Sequence, residues 1–299
     1  MIAISPRQLE VFGAIAAAGG VRAAAVRLGL SQPAASMALA ELERLLGAPL
    51  FDRRQRRLHL NRLGRELLPR ALEIVERLQE FGGGAAAAAP HGALAVGASN
   101  TIGNYLVGDL LGGFAAAHAD VRIRLRVANS AEIVQGVLDF GLDVGCIEGP
   151  LMHADIERIA WRDDELKIVV RADDPLARTR RLRAADLRGR RWILRERGSA
   201  TRSIFEEASR DVLGPLDVAL ELGQSEAIKQ AVLAGLGIAC LPSAAIADAV
   251  AAGRLVALAT PFLDLSRTLA LALHRARYRG ATLRAFLDEV RATARTAAR

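Results

Sequence analysis

Residues 23–65 read AAAVRLGLSQPAASMALAELERLLGAPLFDRRQRRLHLNRLGR, and the architecture turns on this stretch. At about 100° per residue, a helix over 32–46 gathers Ala35, Leu39, Leu42, Leu45 and Leu46 on one side and Pro33, Ser36, Met37, Ala40 and Arg44 on the other. Ser31 suits the N-cap, since its hydroxyl can accept from an unpaired first-turn N–H, and Pro33 is tolerated in that turn. The preceding helical pattern, Val21 to Leu28, carries Ala23, Ala24 and Ala25, small enough for a close helix–helix approach, and Gly29 supplies the sharp turn between the two. These are the parts of a helix-turn-helix, although a plain helical hairpin would share them.

The next residues favour the first reading. Pro49 to Asp52 leads into Arg53-Arg54-Gln55-Arg56-Arg57, and then Leu58 and Leu60 alternate with His59 and Asn61. That is a hairpin with a basic tip, a wing. Net charge over the whole chain is +7, and only Lys167 and Lys229 among its 40 basic residues are lysine. So large an arginine excess can reflect GC-rich coding, so the distribution says more than the total. Arg53, Arg54, Arg56, Arg57, Arg62 and Arg65 share a window without an acid, a density suited to neutralising phosphates.

A further helix starts near Leu63. Leu67, Ala71, Ile74, Leu78 and Phe81 recur at spacings of 4, 3, 4 and 3, a heptad seam, while Leu68, Leu72 and Val75 form a second stripe that can pack on the reading unit. A dimer helix beside a winged reader is coherent, because two half-sites on DNA need a symmetric pair. Gly82-Gly83-Gly84, the alanines to Ala89 and Pro90 then read as a flexible hinge.

Beyond it short β runs alternate with helical patterns, which predicts a parallel sheet in two α/β lobes crossed twice by the chain. The expected division is a DNA-binding domain over 1–62, a dimerisation helix over 63–81, the hinge over 82–91 and an effector domain over 92–299. Within the last, lobe I takes 92–171 and 266–299, and lobe II takes 172–265. In such sheets ligands sit beyond the carboxyl ends of strands. Small polar residues stand at four of these ends: Ser99-Asn100-Thr101, Asn129-Ser130, Ser199-Ala200-Thr201 and Gln224-Ser225. Each could merely cap its helix, but their recurrence in both lobes favours a shared cleft for a small, anionic ligand. Glu148 and Arg202 either add charge at its rim or are ordinary surface residues.

The exclusions are broad. Cys146 and Cys240 lie far apart, each between apolar neighbours, and read as buried thiols, a redox pair being the alternative. The five His show no ligand spacing, and neither a metal nor a cofactor is implied. No apolar run is long enough to span a bilayer and no leader pattern opens the chain, so a cytoplasmic protein without a membrane partner is expected. An enzyme would need a nucleophile–base pair, a metal or a cofactor, and none stands out. An architectural DNA binder without effector response stays open as an alternative.

The chain resembles the LysR-type transcriptional regulators at Arg7-Gln8-Leu9 with Phe12, Ala23-Ala24-Ala25 with Arg27-Leu28, and Ser31-Gln32-Pro33-Ala34-Ala35-Ser36. The match continues at Leu42-Glu43, Leu46-Gly47 and Leu50-Phe51-Asp52-Arg53, and the resemblance covers the whole length. It implies an N-terminal all-α winged helix-turn-helix plus linker helix, then a C-terminal α/β two-lobed effector domain of periplasmic-binding-protein type. It also implies double-stranded DNA and a small effector as partners, and a homodimer that assembles further to a homotetramer. Gln32, Pro33 and Ser36 would face DNA, with Arg53, Arg54 and Arg56 holding the wing on phosphates; Thr101, Asn129, Ser199 and Thr201 would be pocket positions. Met37, Ala38 and Ala40 depart from the polar or basic residues of many members, so DNA shape and methyl contacts should carry more of the specificity. The runs Thr101 to Leu106 and Ile147 to Pro150 look most like the subgroup tied to sulphur assimilation and autotrophic carbon fixation, whose effectors are small oxyanions or phosphorylated metabolites.

Overall fold

The N-terminal helices begin and end where the chain supplies caps. Helix α1 (Pro6–Ala18) opens on a capping box, in which the Ser5 hydroxyl accepts from the Gln8 amide and the Gln8 side chain accepts from the Ser5 amide. Helices α2 (Val21–Leu28) and α3 (Gln32–Leu46) meet at Gly29, whose φ of 64° is the left-handed conformation that favours glycine. The Ser31 hydroxyl accepts from the Ala34 amide at 3.3 Å and so starts α3. The computed structural model describes residues 3–54, 57–82 and 89–297.

Strands β1 (Phe51–Arg54) and β2 (Arg57–Leu60) pair antiparallel as the wing, with Phe51 opposite Leu60. Asn61 pins its base: the side-chain amide donates to the Pro49 carbonyl, and the side-chain oxygen accepts from the Gly64 amide. A Cβ on Gly64 would stand 2.2 Å from the Leu50 carbonyl oxygen, so this approach of wing to helix excludes any side chain there. The unit's core packs Phe12, Ile15, Ala25, Ala35, Leu42 and Leu50. Each fully buried large apolar side chain contributes about 1.5–3 kcal/mol of transfer free energy.

Helix α4 (Arg62–Gly82) has three faces. Leu68 and Leu72 pack on the reading unit, as the second apolar stripe predicts. Ile74, Leu78 and Phe81 are exposed. Ala71, expected in the seam with them, is instead buried at 4 % exposure and joins Leu68 in the core; its small side chain lies beside the stripe that meets α1. Leu67 is half-buried against the same core, so the outward apolar surface is confined to the C-terminal half of α4. Residues 83–88 of the expected hinge lie outside the described residues.

The remaining strands form one twisted sheet over two lobes. They are β3 (Gly92–Ser99), β4 (Val121–Ala128), β5 (Val144–Glu148), β6 (Ile156–Arg171), β7 (Arg191–Arg195), β8 (Asp217–Leu222), β9 (Ile238–Pro242), β10 (Leu255–Ala257) and β11 (Ser266–His274). The order is β4-β3-β5-β11-β6-β9-β7-β8, with β10 paired to β6. Helices α5 (Asn100–Tyr105), α6 (Val107–Ala117) and α7 (Ser130–Leu138) belong to lobe I, and α12 (Ala281–Ala297) packs on it. Lobe II carries α8 (Ala184–Leu187), α9 (Ala200–Leu213), α10 (Ser225–Leu233) and α11 (Ser243–Ala251).

The chain crosses between lobes twice, outward along β6 and back into β11. Sequence pattern places a strand only over 166–171; the first ten residues of β6 escape because charged residues such as Arg162, Asp163 and Asp164 interrupt its apolar alternation. Those charges have partners across the sheet and beyond it: Thr268 donates to Asp163, and Arg162 pairs with Asp109 at 2.8 Å. Cys146 and Cys240 are free and lie in separate cores, and burial pushes both thiols up, Cys240 to about 12. Buried thiols of this kind are inert.

Candidate functional site

On α3, Ala35, Leu39 and Leu42 turn into the core, which leaves Gln32, Pro33, Ser36, Met37 and Ala40 on the open side, Met37 at 71 % exposure. Arg44, at the far end of this face, is held by Glu41 at 2.6 Å. The face is therefore small and nearly uncharged, while Arg53 stands exposed on the wing beside it. Arg56 lies outside the described residues, and of Arg54 only the backbone is described. β2 is tied to the end of α1 by the Leu58 amide, which donates to the Gly19 carbonyl. Reading helix and wing thus form one body able to enter a groove and straddle its phosphates.

The interlobe cleft is closed around an ion pair. Glu148, at the end of β5, is 3 % exposed, and its carboxylate accepts from the Ser99 hydroxyl (2.5 Å), the Thr101 amide (3.2 Å) and the Thr201 hydroxyl (3.3 Å). It pairs with Arg267 at the start of β11, whose guanidinium also donates to the Thr101 hydroxyl (3.2 Å) and the Thr201 hydroxyl (3.1 Å). Arg267 makes a second ion pair with Asp164 at 2.6 Å, and Asp164 accepts from Ser243. Lobe I supplies Ser99, Thr101 and Glu148, lobe II supplies Thr201 and Ser243, and the crossing strands supply Asp164 and Arg267. Burial disfavours the Glu148 charge, yet the Arg267 guanidinium and the bonds from Ser99 and Thr101 outweigh it and hold this carboxyl below its ordinary range. The cluster partitions two hollows: Arg267 lines one of about 780 Å³ with Gly149 and Ser203, and Asp164 lines one of about 550 Å³ with Leu106 and Ala247.

Other polar groups gather nearby. Asn100 is buried, and its side-chain oxygen has no hydrogen-bond partner among the described residues, an unmet acceptor beside the cluster. The buried Arg195 donates to Ser225 at 3.3 Å and pairs with Glu196 at 2.8 Å. Burial, then the Glu226 charge, push the Tyr105 phenol up, and α5 of lobe I packs on α11 of lobe II.

Most of the expected cleft residues meet here, and Arg202 and Gln224 do not. Ser99, Asn100, Thr101, Glu148, Ser199 and Thr201 are all buried at the lobe junction. Arg202 is turned into lobe II, where it pairs with Glu206 and Glu221 and donates to the Arg195 carbonyl, so its charge is consumed within that lobe. Asn129 is occupied as the cap of α7, accepting from the Glu132 amide; the next residue, Ser130, reaches the cluster by accepting from the Glu148 amide. Gln224 is likewise an exposed capping position, and Ser225 behind it is enclosed. In both cases the first helical residue is buried, while Gln224 is exposed and Asn129 is half-buried with its side chain against Gly198.

Sequence reasoning missed Arg267, Asp164 and Arg195, whereas Ser130 and Ser225 stand at two of the strand ends it marked. Arg267 carried a usable signal, a lone cation opening an otherwise apolar strand at the return crossing. Asp164 lay hidden in the charged run of β6. Among the described residues no group of His, Cys, Asp and Glu is arranged to hold a metal ion, and no helix is long and apolar enough to cross a membrane.

Comparison with known proteins matches both parts. Residues 6–65 fit the bacterial regulatory helix-turn-helix model of the lysR family, and residues 87–295 fit the LysR substrate binding domain. The chain is 42 % identical over 285 residues to the uncharacterized HTH-type transcriptional regulator YeiE of Escherichia coli K12, covering 95 % of this chain and 96 % of that one. It is 32 % identical over 300 residues to a probable RuBisCO transcriptional regulator of Trichormus variabilis, covering 95 % and 86 %. Among solved structures, full-length OxyR of Pseudomonas aeruginosa superposes with a TM-score of 0.77 at 22 % identity, covering 99 % of this chain and 96 % of that chain. The regulatory domain of CcmR from Synechocystis in complex with 2-PG gives 0.64 at 26 % identity, covering 68 % and 98 %.

Proposed function

The chain belongs to the LysR family of transcriptional regulators, and from that premise we propose that it senses a small anionic metabolite in its interlobe cleft and alters promoter binding in response. Membership makes it a DNA-binding regulator with an effector domain, not an enzyme. The observation that carries the finer reading is the buried Glu148–Arg267 pair, with hydroxyls of Thr101 and Thr201 delivered from opposite lobes. One guanidinium, two hydroxyls and an amide around a carboxylate are also the donors that a small oxyanion or a phosphate group would use. Glu148 holds them in the closed form, so an anion must compete with it or share Arg267. Either changes the free energy of lobe closure, and coupling of about 1–3 kcal/mol is typical of such sites.

The RuBisCO-regulator relative and the CcmR complex support an effector drawn from small oxyanions or phosphorylated metabolites. Gln32, Pro33, Ser36, Met37 and Ala40 meet the groove, and Arg53, Arg54 and Arg56 hold the flanking phosphates. Ile74, Leu78 and Phe81, exposed on one face of α4, make the homodimer contact; two dimers form the homotetramer. The place of action is the cytoplasm. The test is the Thr101→Trp variant, assayed for operator binding by fluorescence anisotropy with and without sulfate, phosphate and small phosphorylated acids. Operator binding should persist while the response to the anion disappears. Persistence of the response would remove the cleft from the mechanism, and loss of both with a lowered Tm would indicate unfolding.

A further inference from the structure

Three adjacent strands, β3, β5 and β11, have one end in the cleft and the other toward the residues that meet helix α4. Their cleft ends are Ser99, Glu148 and Arg267. At the opposite end β5 follows directly on Asp143, β11 runs out through His274 to Arg277, and β3 begins just after His91. Asp143 ties β5 to β3, accepting from the Ala95 amide at 2.7 Å. From Asp143 to Glu148 is a run of five residues, about 17 Å of extended strand.

Helix α4 docks on that far end through charged groups. The Arg277 guanidinium bonds Glu76 of α4 at 2.9 Å and also bonds Asp143. The Tyr278 hydroxyl donates to Glu80 at 2.9 Å, and Glu80 also accepts from the Ala281 amide at the start of α12. The Arg77 guanidinium sits 4.7 Å from the centre of the Tyr278 ring. Phe140, in the turn before β5 with φ of 55°, stacks on His274 at 4.3 Å and packs against the core of the reading unit. A bulky residue is held in the left-handed region only where its surroundings over-determine it. None of these groups belongs to the reading face or the cleft.

We infer that Arg277 is the positioning residue of a latch, which holds the linker helix against lobe I and passes changes at the Glu148–Arg267 pair to the DNA-reading unit along β5 and β11. The inference deepens the regulator reading and rests on it. One guanidinium keeps Glu76 and Asp143 together with Glu80 close by, so without it three carboxylates face one another. Arg277 is the group that bridges Glu76 of α4 to Asp143 of lobe I, so its loss opens the latch without touching the core of either unit. Because β5 and β11 are paired in register from Gly145–Ala272 to Glu148–Leu269, a shift of Arg267 relative to Glu148 moves the far ends of both strands together.

The experiment uses the full chain with spin labels on Val26→Cys in the reading unit and Met152→Cys in lobe I, both exposed, diluted with unlabelled protein so that only distances within one chain are read. The native cysteines are buried. The parent should give one narrow distance and Arg277→Gln a broad or shifted distribution. The control Arg279→Gln, which breaks a pair with Glu157 inside lobe I, should match the parent. Unchanged distances in Arg277→Gln overturn the latch, and this arm needs neither DNA nor effector. A second arm titrates a DNA fragment selected by the full chain from a random pool. Glu148→Gln should change affinity about fivefold or more in the parent background and by less than twofold beside Arg277→Gln. Equal effects in both backgrounds, or none in either, overturn the transmission. Failure of every form to bind DNA would instead strike the regulator reading, with the distance result still standing.

Discussion

The open face of α3 and the interlobe cleft are opposite kinds of surface within one chain. The first is an exposed helix flank of small, mostly uncharged side chains, fixed by local caps and a core drawn almost wholly from the N-terminal unit. The second is a buried ionic cluster, in which Arg267 bonds Thr101 across 166 positions and Thr201 across 66. A rigid flank presented to solvent can be altered at little structural risk. A desolvated ion cluster is part of the fold's electrostatic balance, and disturbing it alters stability.

Arg267→Ala should mark the extreme of this contrast. It strands Glu148 and Asp164 without their cation, and breaking a buried pair in this way costs about 3–5 kcal/mol. Chemical denaturation followed by tryptophan fluorescence, through Trp161 and Trp192 in the two lobes, should show the effector domain melting earlier. A variant as stable as the parent would mean the cluster is solvated and open.

The wing supplies the next effect. Replacing Arg53, Arg54 and Arg56 with Ala should weaken binding to every duplex alike. The slope of log affinity against log salt should fall by about 0.9 for each phosphate that is no longer neutralised. Weakening confined to one operator sequence would show that these arginines read bases.

Glu76 gives a smaller, pH-dependent signal. Burial raises its carboxyl from 4.5 to about 7 despite Arg277, because Asp143 and Glu80 oppose a third charge. A raised acid favours the docked state at low pH. Its contribution is fully present below the undocked value and is lost as pH rises through about 7. Docking, read by the Val26–Met152 distance, should therefore be tighter at pH 6 than at pH 8, and Glu76→Gln should abolish the difference. The hollow beside Glu76 is also faced by Arg7, Glu10, Arg27, His91, Arg124 and Tyr278. A pH response that survives Glu76→Gln would show that Glu76 is not its source.

Met37→Ala should be the mildest change. An exposed side chain with no partner to lose shifts stability by about 0.5 kcal/mol or less, so any effect should appear only as altered preference among DNA sequences.

The same contrast explains what could be read from the amino acids alone. The helix-turn-helix, the wing and the alternating lobes were legible because caps, apolar periodicity and turn glycines are local signals. Ser99, Thr101 and Thr201 were legible too, since small polar residues at strand ends mark a cleft rim. Arg267 and Asp164 were not, because their partnership exists only once β6 and β11 pair. At the Asn129-Ser130 and Gln224-Ser225 ends the pattern marked both residues, and only packing shows that the one after the cap is the buried one. Ala71 was misplaced because a heptad pattern cannot tell which of two neighbouring helix faces a third element will cover.

Thr201 offers the sharpest test that the closed ion cluster is the effector seat, since Thr201→Val removes one hydroxyl of lobe II with almost no change in volume. Calorimetric titration of the full chain with sulfate, phosphate and small phosphorylated acids should show binding to the parent. Binding to Thr201→Val should be about tenfold weaker or more, as expected for the removal of a charge-assisted hydrogen bond. Identical affinity in the two proteins, or no binding of any of these anions to the parent, would contradict the assignment.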